Sequence, residues 1–200
     1  MDSVPQVFVA VRRKGGEEAE LHPLADISNR EIQEVQQLKH PPREVARVME
    51  LVHLLLLGED RSVGLVDWAD VLRTVVRLDF LKRARQIDLQ HVLQLPRLID
   101  GLCRKYFAGP EPLTPDRVRW ASKAVVAFFG WTVAVLAGVL PQLPEKVAGA
   151  EARRRIELLH RELHEQRRRA SEERQLAQEA VERRREEVEA PVRWAVPLNG

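Results

Sequence analysis

The stretch that decides the fold is AVVAFFGWTVAVLAGVL, residues 124–140, which holds seventeen residues without one charge. Such a segment is typical of a helix that is apolar on all sides and is therefore buried. Residues 145–190 follow shortly after it, and 24 of these 46 residues are charged. A segment so rich in Glu, Arg and Ala is typical of a long helix in water. Together the two stretches predict a small globule whose core helix continues, almost without interruption, into a protruding stalk.

The apolar stretch has a second interpretation, as a transmembrane helix. At about 1.5 Å per residue, seventeen residues rise roughly 26 Å, less than the ~30 Å of hydrocarbon that a spanning helix must cross. The stretch also contains Gly130 and Gly138 and is followed by Pro141 and Pro144. These features favour a buried core helix, so we expect no membrane partner; membrane anchoring by residues 124–140 remains the alternative.

Charge is distributed unevenly along the 200 residues. Residues 1–38 carry a net charge of −3, residues 39–144 carry +4, and residues 145–190 are neutral. The globular part is the mildly basic part, which favours an acidic partner. Cys103 is the single cysteine, which argues against a disulfide framework and for a reducing, intracellular setting, and the first residues do not have the pattern of a signal peptide.

Helical periodicity covers most of residues 24–144. Apolar residues between Val45 and Leu56 recur at i, i+3, i+4 and i+7, and Gly58 is expected to end that helix. Asp67 is a candidate N-cap. Thr114, Pro115 and Asp116 form a strong helix start, so the long apolar helix is expected to begin there. Because period-2 alternation does not occur after residue 23, we predict an all-α fold.

The predicted architecture is a small helical-bundle head with a long protruding coiled-coil-like stalk helix. The predicted divisions are a poorly ordered leader (1–23), a short helical segment (24–39), the helical head (40–144), the charged stalk helix (145–190) and a tail (191–200). Within the charged stalk helix only Ile156, Leu159 and Leu163 form a firm apolar seam, because Gln166, Glu173 and Arg184 interrupt the heptads. We expect residues beyond about 166 to be an exposed single helix, with pairing confined to 24–39 against 146–163; a weak coiled coil that needs a partner is the alternative.

Sequence patterns of catalytic chemistry do not occur. The chain has no glycine-rich phosphate loop, no G-x-S-x-G and no C-x-x-C, so we expect neither an enzyme nor a cofactor. His160 and His164 lie one helical turn apart, but the intervening Glu162 is one position too late for the H-E-x-x-H zinc pattern. We expect no metal site. Arginines of the charged helix are interleaved with Glu, which is typical of a solvated face rather than a nucleic-acid surface.

Basic residues at two helix starts are the candidate binding residues. Arg43 and Arg47 share a face by their i, i+4 spacing, directly after the Pro41–Pro42 pair. Arg119 and Lys123, with Arg117 before them, follow the second start at Pro115. These groups are expected either to form one patch for an acidic protein surface or to be scattered surface charge.

The order of several landmarks resembles the microtubule-binding head and stalk of dynein heavy chains. The resemblance covers roughly residues 24–165 and rests on EVQQLKHPP (34–42), LLLLG ending at Gly58, DW (67–68), FL (80–81), Tyr106, RWASKA (119–124), GW (130–131) and PEK (144–146). The chain departs from the family at Ala46, Trp120 and Gly130, where the family commonly has basic residues.

The resemblance implies a function. In that family a helical head binds tubulin, and an antiparallel two-helix stalk joins the head to an ATPase ring, which this chain does not contain. The resemblance implies that residues 24–39 are the remnant of the first stalk helix and residues 145–190 the second stalk helix. Arg43, Arg47, Arg119 and Lys123 would then be the microtubule-binding residues, tubulin the partner, and the cytoplasm, cytoskeleton or cilium the location. The alternative function is a non-motor helical scaffold that binds other coiled-coil proteins through its charged arm.

Overall fold

The computed structural model describes residues 22–189, and every element of regular structure in that range is helical. The prediction of an all-α fold is therefore confirmed for this part of the chain. Most of the predicted leader (1–23) and the whole tail (191–200) lie outside the described residues.

Short helices build the head and one long helix follows it. Their bounds are α1 (Asn29–Gln36), α2 (Arg43–Leu57), α3 (Trp68–Val75), α4 (Phe80–Arg85), α5 (Leu89–Leu93), α6 (Pro96–Leu102), α7 (Pro115–Val118), α8 (Lys123–Val139) and α9 (Gly149–Glu189). A π-helical turn, Cys103–Ala108, continues α6, and a 3₁₀ turn, Leu140–Gln142, continues α8.

Capping residues explain where several helices start and end. Ser28 and Glu31 form a reciprocal capping box at the start of α1. The Asp67 carboxylate accepts a hydrogen bond from the Ala69 amide, as expected of the N-cap of α3. Gly58 ends α2 at φ +70°, in the left-handed region that glycine adopts most readily. The predictions for Asp67 and Gly58 are confirmed.

The prediction that the long apolar helix begins at Thr114 is wrong. The helix that starts at Pro115 lasts four residues, and the chain then turns through Arg119 and Trp120. Ser122 provides a second N-cap, because its hydroxyl accepts from the Val125 amide at 3.5 Å, and α8 begins at Lys123. A new cap therefore separates α7 from α8.

Helix α8 is the centre of the core, as its composition predicted. It packs against α1, α2, α5 and α9, and most of its side chains, including Phe128, Phe129 and Trp131, are buried. The Trp131 indole donates a hydrogen bond to the Ala84 carbonyl at 2.9 Å. Among the described residues, Lys123–Gln142 is the one segment long and apolar enough to cross a membrane, and 72% of it is buried inside the head.

Helices α8 and α9 are not one nearly continuous helix. The chain leaves helical geometry after the 3₁₀ turn, and α9 starts at Gly149, four residues later than the expected 145. Arg153 occupies this elbow, where its guanidinium donates to the carbonyls of Leu140, Leu143, Pro144 and Val147 at 2.6–3.0 Å. The prolines at 141 and 144 cannot continue a hydrogen-bonded helix, so the chain turns back on itself.

The first part of α9 returns along α8. Ala152, Ile156 and Leu159 are buried, and partial burial continues to residue 171. Arg167 reaches Gly130, so the expectation of an exposed helix beyond Gln166 is wrong for residues 167–171. Arg174 is exposed and forms an ion pair with Asp26. Residues 172–185 are exposed. The prediction failed because it counted only apolar residues at heptad positions. The aliphatic part of an arginine side chain can also pack on the surface of the head.

Residues 24–39 pack into the head rather than against 146–163 alone. Ile32 and Val35 of α1 are buried in the common core, and α1 packs on α3 and α8. Contact with α9 is made before α1 begins, where Asp26 pairs with Arg174 and His22 lies beside Arg167. The predicted pairing of 24–39 with 146–163 is therefore corrected to contacts at 22–26 and 167–174.

Candidate interaction surface

The start of α2 and the end of α7 bring basic residues together around one acidic residue, Glu111. Arg43 forms an ion pair with the Glu111 carboxylate, and Arg47 Nη2 donates to the Glu111 carbonyl at 2.7 Å. The hydrogen bond from Arg43 lowers the pKa of Glu111, and the charges of Arg117 and Arg47 lower it further. The structure thus places Arg43, Arg47 and Arg117 in one neighbourhood. We call this region, with Arg119 and Trp120 that follow α7, the basic surface.

Arg47 is the least exposed cation of the basic surface. Its guanidinium lies 5.8 Å from the centre of the Tyr106 ring, and its Nη1 atom is buried without a hydrogen-bond partner among the described residues. Burial, followed by repulsion from Arg43, lowers its pKa. Arg47 therefore joins α2 to the loop that carries Glu111, while the more exposed Arg43 is the group available to a partner.

Tyr106 supports the basic surface from below. The ring is fully buried in the π-helical turn, and burial, with the neighbouring Glu50 carboxylate, raises the pKa of its phenol. Lys105 Nζ lies 5.2 Å from the ring centre and pairs with Glu50 Oε1 at 2.6 Å. These contacts hold the turn against α2, so the position of Arg47 is set by packed neighbours on both sides.

Trp120 is the most unusual side chain of the surface. It is 82% exposed, and the Arg119 guanidinium lies 4.7 Å from the centre of its ring. The turn that presents it is held by two backbone hydrogen bonds, from Arg119 to Pro115 at 2.8 Å and from Ala121 to Val118 at 2.9 Å. An exposed indole, three positions after Arg117 in the chain, thus sits on an ordered backbone beside Arg119.

Lys123 has different contacts from the other predicted site residues. Its Nζ pairs with Glu31 Oε1 at 2.8 Å and donates to the Asp26 carbonyl at 3.0 Å. The hydrogen bond from Lys123, with those from Ser28, lowers the pKa of Glu31 to about 2. Lys123 therefore joins the N-terminal segment to α8.

Two residues of the surface were missed by sequence reasoning. Glu111 lies in the loop before α7 and is 64 positions away from Arg47, so no local spacing connects them. Trp120 was visible only as a departure from the dynein pattern, and its exposure follows from the break between α7 and α8. A tryptophan two positions before an N-cap serine is the one local signal that could have suggested it.

Metal-binding geometry does not occur within residues 22–189, where no three His, Cys, Asp or Glu side chains converge. The rings of His160 and His164 are 6.3 Å apart, and burial lowers the pKa of His160. Cys103 is buried, and burial raises the pKa of its thiol to about 12. A thiol with so high a pKa is a poor nucleophile at neutral pH.

Sequence comparison with known protein families and curated proteins gave no match. No protein-family model matches the chain, and no curated protein matches it at a significant level. The chemical character of the basic surface therefore carries the functional argument.

Proposed function

We propose that this chain is a microtubule-binding module of the kind found in dynein heavy chains, with no catalytic activity of its own. The observation that carries the proposal is the basic surface, in which arginines from α2 and α7 meet around a single loop. An acidic partner such as tubulin complements that charge. The resemblance over residues 24–165 supports the same partner, and it would give the module a cytoskeletal or ciliary location.

The proposal assigns different tasks to the four predicted residues. Arg43 and Arg119 are exposed and would contact carboxylates of the partner. Arg47 holds α2 to the Glu111 loop, and Lys123 holds α1 to α8, so both act by positioning. The charged helix α9 would take the place of the second stalk helix, as a coiled coil or as a single helix.

Co-sedimentation with microtubules tests the proposal. We expect the chain to pellet at low salt and to be released as salt increases, because exposed charge pairs are screened. The double variant Arg43→Ala/Arg119→Ala should bind about tenfold more weakly, by loss of two exposed charge contacts. Arg73→Ala, which removes an exposed arginine from α3, is the matched control and should bind like the unaltered chain.

Two results would contradict the proposal. One is the absence of pelleting at low salt, and the other is a double variant that binds as tightly as the Arg73→Ala control. Circular dichroism of each variant shows whether the head remains folded, so weak binding is not confused with unfolding.

A second candidate function, a helical scaffold, is favoured by the exposed part of α9. Leu176 and Val181 are 65% and 63% exposed among charged neighbours. A partner helix could cover them in a coiled coil. Sedimentation equilibrium distinguishes the candidates: self-association that is lost in Leu176→Glu/Val181→Glu supports a scaffold, and a monomer at high concentration argues against pairing between copies.

A further inference from the structure

Trp120 differs from the other exposed apolar residues of the head by its setting. Its indole is covered on one face by the Arg119 guanidinium and is otherwise open to water. The backbone on both sides is fixed by the turn after α7 and by the Ser122 cap of α8. The side chain is therefore presented in a defined place before any partner arrives, which lowers the entropy cost of binding.

The cost of exposing this side chain points to an interface. A tryptophan that becomes buried removes roughly 150–250 Å² from water, the largest contribution any side chain can make to an apolar contact. Residues that dominate binding energy are most often Trp, Tyr and Arg, near the centre of a patch. Trp120 and Arg119 supply that combination in consecutive positions.

The surrounding charges decide which kind of partner fits. Arg43, Arg47, Arg117 and Arg119 favour an acidic surface, whereas Glu111 and Asp116 lie among them and would repel a continuous phosphate backbone. The carboxylates of a folded protein, unlike the phosphates of a nucleic acid, need not be evenly spaced, so they can contact the arginines without lying next to Glu111 or Asp116. The arrangement therefore favours an acidic protein over a nucleic acid.

We propose that Trp120 is the apolar anchor of the basic surface, whose indole enters an apolar recess on the acidic face of tubulin while Arg119 pairs with a carboxylate at the rim. The inference rests on the proposed function, because it takes tubulin as the partner. It goes beyond that function by assigning the decisive contact to a residue that carries no charge. Binding then has two separable parts, one that salt screens and one that salt leaves intact.

Microtubule affinity measured over a range of salt concentrations separates these parts. Trp120→Ala should weaken binding about thirtyfold, as expected for a dominant interface residue, with little change in the slope of log Kd against log salt concentration. The affinity of Trp120→Phe should lie between those of the unaltered chain and Trp120→Ala, because phenylalanine keeps part of the aromatic area. Arg43→Ala/Arg119→Ala should instead reduce the slope. Leu78→Ala, at a fully exposed apolar site in the turn before α4, is the control and should bind normally.

The outcomes distinguish this inference from the proposed function. If the unaltered chain fails to pellet with microtubules at low salt, both fall. If it pellets and the arginine variant is weaker while Trp120→Ala binds normally, only the anchor is overturned. Tight binding of a fluorescent single-stranded RNA that depends on Trp120 would also overturn it, because the indole would then be a platform for bases. The melting temperature of Trp120→Ala should match that of the unaltered chain, since the side chain packs on little of the head.

Discussion

At the scale of single residues, the Arg167 guanidinium of α9 lies against Gly130 of α8. A Cβ atom at position 130 would overlap Arg167 Nη2, so glycine creates the space that the guanidinium fills. Burial in this space lowers the pKa of Arg167 to about 10, which still leaves it charged at neutral pH. The dynein pattern has a lysine at this position, and a lysine here would meet Arg167 as a like charge.

Gly130→Ala should therefore change the contact between α8 and α9 more than the overall stability of the chain. Alanine favours the helix by up to about 1 kcal/mol relative to glycine, while displacement of Arg167 removes packing between α8 and α9. Because these effects oppose each other, we expect the free energy of unfolding to change by less than about 1 kcal/mol. Hydrogen exchange of amides 160–174 should become faster, as it should in Arg167→Ala. Unchanged exchange in both variants would show that this contact does not hold α9.

Arg153 should contribute more to stability than any exposed arginine of α9. Its guanidinium satisfies four carbonyls at the elbow, and lysine cannot reach all of them from one nitrogen. Hydrogen bonds to charged groups are worth about 1.5–3 kcal/mol, so Arg153→Lys should cost about 2 kcal/mol in urea unfolding. The exposed neighbour Arg154, changed to Lys, is the matched control. Equal stability of the two variants would contradict the assignment.

At the scale of elements, the segment before α1 is fixed in part by a histidine that responds to pH. His22 Nδ1 accepts from the Leu24 amide at 3.2 Å, and Arg85 donates to the carbonyls of Leu24 and Ile27. Burial, followed by the charges of Arg167 and Arg85, lowers the pKa of His22 from 6.5 to about 4. Protonation of His22 would break its bond to Leu24 and add a third positive charge between two arginines.

This segment should loosen in mild acid. Between pH 6.5 and 4 the unfolded chain binds a proton that the folded chain does not, so the free energy of unfolding falls as the pH decreases through that window. His53 and His160 act in the same direction, because burial lowers their pKa as well. Thermal unfolding of His22→Asn, which keeps an acceptor but does not titrate, should show a weaker dependence on pH. An identical pH profile would exclude His22 as a contributor.

Sequence patterns predicted the elements whose burial follows a helical period. Helices α2 and α8 were predicted because their apolar residues line up within one segment, and Gly58 and Asp67 mark ends through local chemistry. The break between α7 and α8 was missed because Thr114 and Ser122 are competing caps, and tertiary packing decides between them. For the candidate site, the i, i+4 spacing predicted that Arg43 and Arg47 share one face of α2. The bond of Lys123 to Asp26 joins residues 97 positions apart, which no local pattern can indicate.

At the scale of the whole molecule, α9 has two parts with different environments. Residues up to 171 keep partial contact with the head, and Arg174 adds an ion pair with Asp26. Residues 175–185 are exposed and carry i, i+4 charge patterns instead of a packed face. An isolated helix of this kind is marginally stable in water. The head and the first part of α9 should therefore unfold together, and the remaining part should fray independently.

Truncations at two positions test this division. A chain that ends after residue 175 keeps Arg167 and Arg174, so its melting temperature should equal that of the full chain. A chain that ends after residue 165 loses both arginines and should melt several degrees lower, because a loss of about 1 kcal/mol lowers the melting temperature of a domain of this size by roughly 2–4 °C. Hydrogen exchange of the full chain should show the same boundary, with protection through about residue 174 and fast labelling after it. If the two truncations melt together, Arg167 and Arg174 do not attach α9 to the head. If protection continues to residue 185, the exposed part of α9 is not independent of the head and pairs with something that the chain itself, or a second copy, provides.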